Sequence, residues 1–126
     1  MWIFAQHGFL SITPHREKAE CYMVRGRVKG DIEYYFPNAT VIETPDADYR
    51  YRTTLQRDEV ADRIRKAVAD IHYRGFKDLV TDKRREAYYF SVWDTMYLMQ
   101  EELAVKPRPR QRHEINTADY GVTSCA

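Results

Sequence analysis

The sequence is poor in the features that most directly announce a chemistry. Only two cysteines occur, Cys21 in a strand-like stretch and Cys125 one residue from the end. Two thiols nearly a chain length apart do not make a disulfide framework, and the expected state is reduced, in a cytoplasmic protein. No run approaches the roughly 18 uncharged apolar residues of a membrane helix. Even the aromatic segment from Tyr88 to Met99 is interrupted by Asp94, so no membrane partner is expected. The opening Met1-Trp2-Ile3-Phe4-Ala5 has no basic leader, its apolar run breaks at Gln6, and it reads as a strand. Charge of one sign is also missing. Twenty Lys and Arg against nineteen Asp and Glu leave +1, far from the surplus of a dedicated duplex binder.

Catalytic and ligand motifs are equally scarce. There is no Gly-x-Ser-x-Gly elbow for a nucleophile. Arg25-Gly26-Arg27-Val28-Lys29-Gly30 is basic and glycine-containing but lacks the order of a phosphate loop. Glu43-Thr44-Pro45-Asp46-Ala47-Asp48 gathers three carboxylates without the glycine and distal glutamate of an EF-hand, and reads as a turn. His7, His15, His72 and His113 form no pair at helical spacing, and only His7, His15 and Cys21 would converge near one sheet end. Neither a metal nor another cofactor is expected.

What is present is the pattern of one α+β domain over residues 1–105, followed by a basic and polar tail over 106–126. Trp2–Ala5 and Phe9–Thr13 are β-prone and separated by Gln6-His7-Gly8, where the glycine would supply positive φ for a hairpin. Cys21–Arg27 reads as a third strand. Gly30-Asp31 opens a helix of about two turns that Pro37 stops. Thr40–Glu43 and Asp48–Leu55 read as strands four and five. Val60, Ile64, Ala67, Val68 and Ile71 recur at helical spacing behind Asp58 and Glu59, and a further helix runs from Thr81-Asp82 to Leu103. The expected architecture is a mainly antiparallel sheet of five strands with helices on one face. Its strand–helix–strand–strand–helix middle is compatible with a ferredoxin-like arrangement extended by an N-terminal strand and a C-terminal helix.

The candidate site lies on the strands. If Tyr49, Tyr51, Thr53 and Leu55 share one face, Arg50 and Arg52 point the other way, as do Arg25 and Arg27 opposite Val24 and Val28. Four guanidinium groups would then occupy an open sheet face, suited to carboxylates or phosphates. Aromatics make up 13% of the chain, and arginine with aromatics is the composition of binding hot spots. Trp2 and Tyr97 are the residues expected to fill a partner's pockets.

Met1-Trp2-Ile3-Phe4, Gly8-Phe9-Leu10-Ser11-Ile12, Ala47-Asp48-Tyr49-Arg50-Tyr51-Arg52 and Val92-Trp93-Asp94-Thr95-Met96-Tyr97 resemble a family of short, largely uncharacterised bacterial proteins that also occur on phages and mobile elements. The likeness spans the body and not the tail, and it carries no active-site residues. By analogy, it implies an inhibitor of a host defence complex, of the anti-CRISPR kind, that acts by occupying a protein surface. Three readings follow. The first is a non-enzymatic module that binds another protein or a copy of itself through Arg25, Arg27, Arg50, Arg52, Trp2 and Tyr97. The second is a nucleic-acid or nucleotide binder using the same arginines. The third is a metal-dependent phosphodiesterase built on Asp46, Asp48 and His7.

Overall fold

A computed structural model describes residues 1–105, which fall into two compact units, residues 1–91 and the segment from Val92 onward. The basic tail, with His113 and Cys125, lies outside the described residues. The first unit is built on a five-stranded, fully antiparallel sheet. Its strands are β1 (Trp2–Ala5), β2 (Gly8–Pro14), β3 (Cys21–Gly26), β4 (Ile42–Glu43) and β5 (Tyr51–Gln56), in the spatial order β1-β2-β3-β5-β4. Between β3 and β4 lies α1 (Asp31–Tyr35); after β5 comes α2 (Arg57–Ala69), then a single 3₁₀ turn (Lys77–Leu79) and α3 (Lys83–Val105). The fold is α+β.

The segment β3-α1-β4-β5 is the split β-α-β of a ferredoxin-like arrangement, because β5 inserts antiparallel between β3 and β4. The place beside β3 that a last strand would take is filled by β2, which precedes β3 in the chain. That follows from the hairpins: a short connection makes each of β1, β2 and β3 the antiparallel neighbour of the next. After α2 the chain has no open strand position left to fill on that side of β3.

Strand alternation divides the sheet cleanly. Leu10, Ile12 and Val24 point to one face, where they pack against Ile32 and Phe36 of the α1 segment and Val60 of α2. Leu10, Val24 and Ile32 are fully buried, each contributing about 1.5–3 kcal/mol. Ile3, Tyr22, Tyr51, Leu55 and Ile64 complete the layer. The period-two pattern of the strands and the 3.6 pattern of α2 thus meet on one surface.

Three local expectations are corrected. Gly8 does not have positive φ; among the described glycines only Gly30 does, at 95°, as the N-cap of α1. Gly8 is required by proximity instead, since a Cβ there would lie 3.1 Å from both Cβ and the carbonyl oxygen of Asp31. Second, α1 is five residues long rather than two full turns, with Phe36 as its C-cap. Third, β5 begins at Tyr51, not Asp48, and β4 is only Ile42–Glu43. The Thr44 amide donates to the Arg50 carbonyl at 2.7 Å and the Tyr49 amide donates to the Asp48 carboxylate at 2.8 Å. Those bonds hold 44–50 as a loop in competition with the ladder.

Candidate functional site

The face of the sheet opposite Leu10 is assembled by register. Trp2 pairs with Ser11, Ser11 with Arg25, Arg25 with Arg52, and Arg52 with Ile42. One straight row across all five strands therefore reads Trp2, Ser11, Arg25, Arg52, Ile42. Its ends are open, with Trp2 65% and Ile42 61% exposed, and its middle holds two half-buried arginines. Beside Trp2, Phe4 stacks on Phe9 at 4.6 Å between centroids and meets Tyr89 edge-on at 5.5 Å.

The shortened β5 changes the arginine set. Arg25 and Arg52 are strand residues on this face, whereas Arg27 and Arg50 lie in the flanking bends. Tyr49, expected beside Tyr51 and Leu55, instead reaches the opposite face and is buried there. Its ring lies 6.5 Å from Phe9, and the guanidinium carbons of Arg25 and Arg27 stand 4.5 and 4.4 Å from its centroid. Each cation makes a favourable quadrupole contact with the ring. Arg25 also donates to the Ser11 hydroxyl at 2.9 Å, Arg27 to the Asp48 carbonyl at 2.7 Å and Arg52 to the Tyr49 carbonyl at 3.0 Å. The last two bonds tie the 44–50 loop to the bend after β3 and to β5.

Neutralisation is uneven. Arg50 lies 3.6 Å from the Glu43 carboxylate. No carboxylate lies within ion-pair distance of Arg25, Arg27 or Arg52 among the described residues. The Nε atoms of Arg25 and Arg52 are buried without a hydrogen-bond partner. Like charges directly opposite across a strand pair oppose its formation, so this patch keeps an unbalanced positive charge at some cost. Tyr97 belongs to the second unit, half exposed and stacked on Trp93 at 6.0 Å.

The sequence reading missed a second polar centre. Asp31, 2% exposed, receives Arg85 through both oxygens, at 2.5 Å from Nη2 and 3.0 Å from Nη1, and also accepts the Phe9 amide. Tyr89 donates to the Ala5 carbonyl at 2.9 Å, and Tyr35 accepts the His7 amide at 3.1 Å. The hydrogen bond from Arg85 to Asp31 raises the guanidinium pKa. Burial raises the phenol pKa of both Tyr35 and Tyr89. In an unfolded chain these phenols titrate near their ordinary value of 10.0, so above that pH the unfolded state loses protons first. Stability is thus unaffected by them below about pH 10 and falls as pH rises from there through the folded values. Urea midpoints measured across that window should drop more steeply for the native chain than for Tyr35→Phe/Tyr89→Phe; parallel curves would reject the linkage.

The histidine and carboxylate readings find no common centre. His7 packs on Tyr34 with the rings tilted by 32° and their centroids 4.0 Å apart, and His15 Nδ1 accepts the amides of Glu17 and Lys18. Among the described residues no three of His, Cys, Asp or Glu are grouped to hold a metal, so Asp46, Asp48 and His7 do not assemble as the phosphodiesterase reading requires. On the Leu10 side, a groove of about 320 Å³ is bordered by Ile3, Tyr34, Ile64, Val68, His72 and Phe76. It is mainly apolar; the Asp70 carboxylate at its margin is held by Lys66 at 2.6 Å. No family model, curated protein or solved structure matches the chain.

Proposed function

We propose that the protein is a non-enzymatic interaction module whose sheet face binds a carboxylate-bearing segment of another protein. The observation that carries this is the Arg25–Arg52 cross-strand pair, adjoined by Arg27, without a carboxylate of its own and flanked by exposed Trp2. A partner acid would relieve the like-charge repulsion and accept bidentate hydrogen bonds. Trp2 would supply the apolar anchor typical of hot spots. On the resemblance noted above, the partner would belong to a host defence complex and binding would inhibit it.

The exposed rings of Trp2 and Phe4 beside these arginines favour a second reading, in which unstacked bases lie on the rings and phosphates meet the guanidiniums. Charge balance ranks it lower: before Lys106 the chain has sixteen basic and seventeen acidic residues, and a general attraction for polyanions is missing.

Fluorescence anisotropy with labelled acidic peptides and with a short single-stranded RNA tests both. Peptide binding should weaken at least about tenfold in Arg27→Ala/Arg52→Ala and in Trp2→Ala. The melting temperature of Trp2→Ala should be unchanged. RNA binding that falls steeply with salt would select the second reading. Equal peptide binding by all three chains would remove this face from consideration.

A further inference from the structure

β1 is one edge of the sheet and pairs with β2 alone. The ladder opens with a reciprocal pair of bonds: the Met1 amino group donates to the Ile12 carbonyl at 2.7 Å, and the Ile12 amide donates to the Met1 carbonyl at 2.9 Å. In an antiparallel pair, residues bonded to the neighbouring strand alternate with residues that face away from it. Ile3 and Ala5, opposite Leu10 and Gly8, are therefore bonded inward. Trp2 and Phe4, opposite Ser11 and Phe9, turn their N–H and C=O groups to the outside. The Phe9 amide has the matching phase, since it points away from Phe4 and bonds the Asp31 carboxylate. Among the described residues, none of the four outward groups has a hydrogen-bond partner.

We infer that β1 pairs antiparallel with β1 of a second copy, about a two-fold axis at Ile3. Trp2 of each chain then stands opposite Phe4 of the other, and the two pairs exchange four hydrogen bonds that use every outward group. An axis at Trp2 would leave Phe4 with nothing opposite it, and an axis at Phe4 would set Trp2 against Gln6 in the turn. Trp2 and Phe4 are 65% and 36% exposed and share one face of the strand. The axis is perpendicular to the sheet, so each indole comes beside the phenyl ring of the other copy as an aromatic cross-strand pair.

Charge and closure select this occupant. Trp2–Ala5 contains no charged residue and no proline, the devices that keep an edge strand from pairing, and it offers nothing to a charged strand. The opposite edge is guarded: β4 is only Ile42–Glu43, and Glu43 is engaged by Arg50. Pairing β1 with β4 would leave a free edge on each copy and extend without end, whereas β1 against β1 closes as a dimer. The product is one continuous sheet with both arginine faces on the same side. It uses the edge of β1 and forms whether or not the sheet face holds an acidic partner.

Light scattering and sedimentation of the full chain without any partner should give about twice the 15.0 kDa monomer mass at micromolar concentration. The Trp2 and Phe4 amides should exchange with solvent at least about tenfold more slowly in the dimer than after dilution to monomer. The Ile3 amide, bonded to β2, should not respond to dilution. Proline is tolerated at the first residue of an edge strand whose N–H faces outward, so Trp2→Pro should stay folded by circular dichroism. It should raise the dimer dissociation constant at least about tenfold, because the pair loses two hydrogen bonds. Trp2→Val, which keeps the amide, should weaken the dimer less. Exchange is read on the native chain and needs no variant. A monomeric native chain, Trp2 and Phe4 amides that exchange equally fast at every concentration, or equal weakening by Trp2→Val and Trp2→Pro would each overturn the β1 pair.

Discussion

Arg85→Ala should lower folding stability by about 3–5 kcal/mol, the usual consequence of stranding one member of a buried ion pair. The Asp31 side chain is 3% exposed and that of Arg85 15%, so water cannot replace the lost guanidinium. Asp31 would keep the hydrogen bond from the Phe9 amide, and a carboxylate left in that position carries most of the penalty. Arg85→Lys should recover little, since an ammonium cannot span both oxygens as the planar fork does. The informative comparison is Asp31→Ala/Arg85→Met, which removes both charges. Its cost should be well below the sum of the single costs. Urea denaturation of the native chain, Asp31→Ala, Arg85→Met and Asp31→Ala/Arg85→Met gives the cycle directly. A single-variant cost under about 1 kcal/mol would show the pair to be peripheral.

That pair also shows where the sequence stops being legible. Its members are 54 positions apart, and neither belongs to a local motif. Asp31 behind Gly30 reads as an ordinary acid at a helix start. Arg85 did leave a trace: a cation in the first turns of a helix, four and seven residues before the apolar Tyr89 and Val92, is disfavoured by the dipole and sits on the stripe that turns inward. Gly8 was noticeable as a glycine beside a turn, yet its reason was an approach by Asp31, a long-range fact.

Elements with strong periodicity were readable. Alternation placed Val24 of β3 on the buried face, and helical spacing did the same for Val60 and Ile64 of α2, because burial on one side imposes those periods; Val28, Val68 and Ile71, expected on the same faces, are exposed because they lie at or beyond the ends of their elements. The same rule failed at Tyr49. Counting from Asp48 placed it with Tyr51, but the loop's own hydrogen bonds delay the strand, and Tyr49 crosses to the arginine face. Arg25 and Arg52 stayed where alternation put them; Arg27 and Arg50 lie beyond the ladder, where it no longer applies.

Phe36→Ala carries the other large expected effect, again about 3–5 kcal/mol, and for a reason that links α1 to the ion pair. A helix of five residues has no stability of its own. It is held by Ile32 and Phe36, 0% and 1% exposed, inserted against Leu10 and Val24. Removing the ring leaves a cavity beneath α1 and loosens the segment that positions Asp31. Hydrogen exchange should therefore accelerate at Tyr34 and Phe36, whose amides bond Gly30 and Ile32, and also at Phe9, whose amide bonds the Asp31 carboxylate. Phe36→Leu should cost far less, because most of the volume remains. The arginine face lies across the sheet from this cavity, so peptide binding at temperatures where Phe36→Ala is still folded should match the native chain. Loss of binding in that variant while folded would mean that the two faces are coupled, and that Asp31 and Arg85 set the register on which the Trp2–Ile42 row depends.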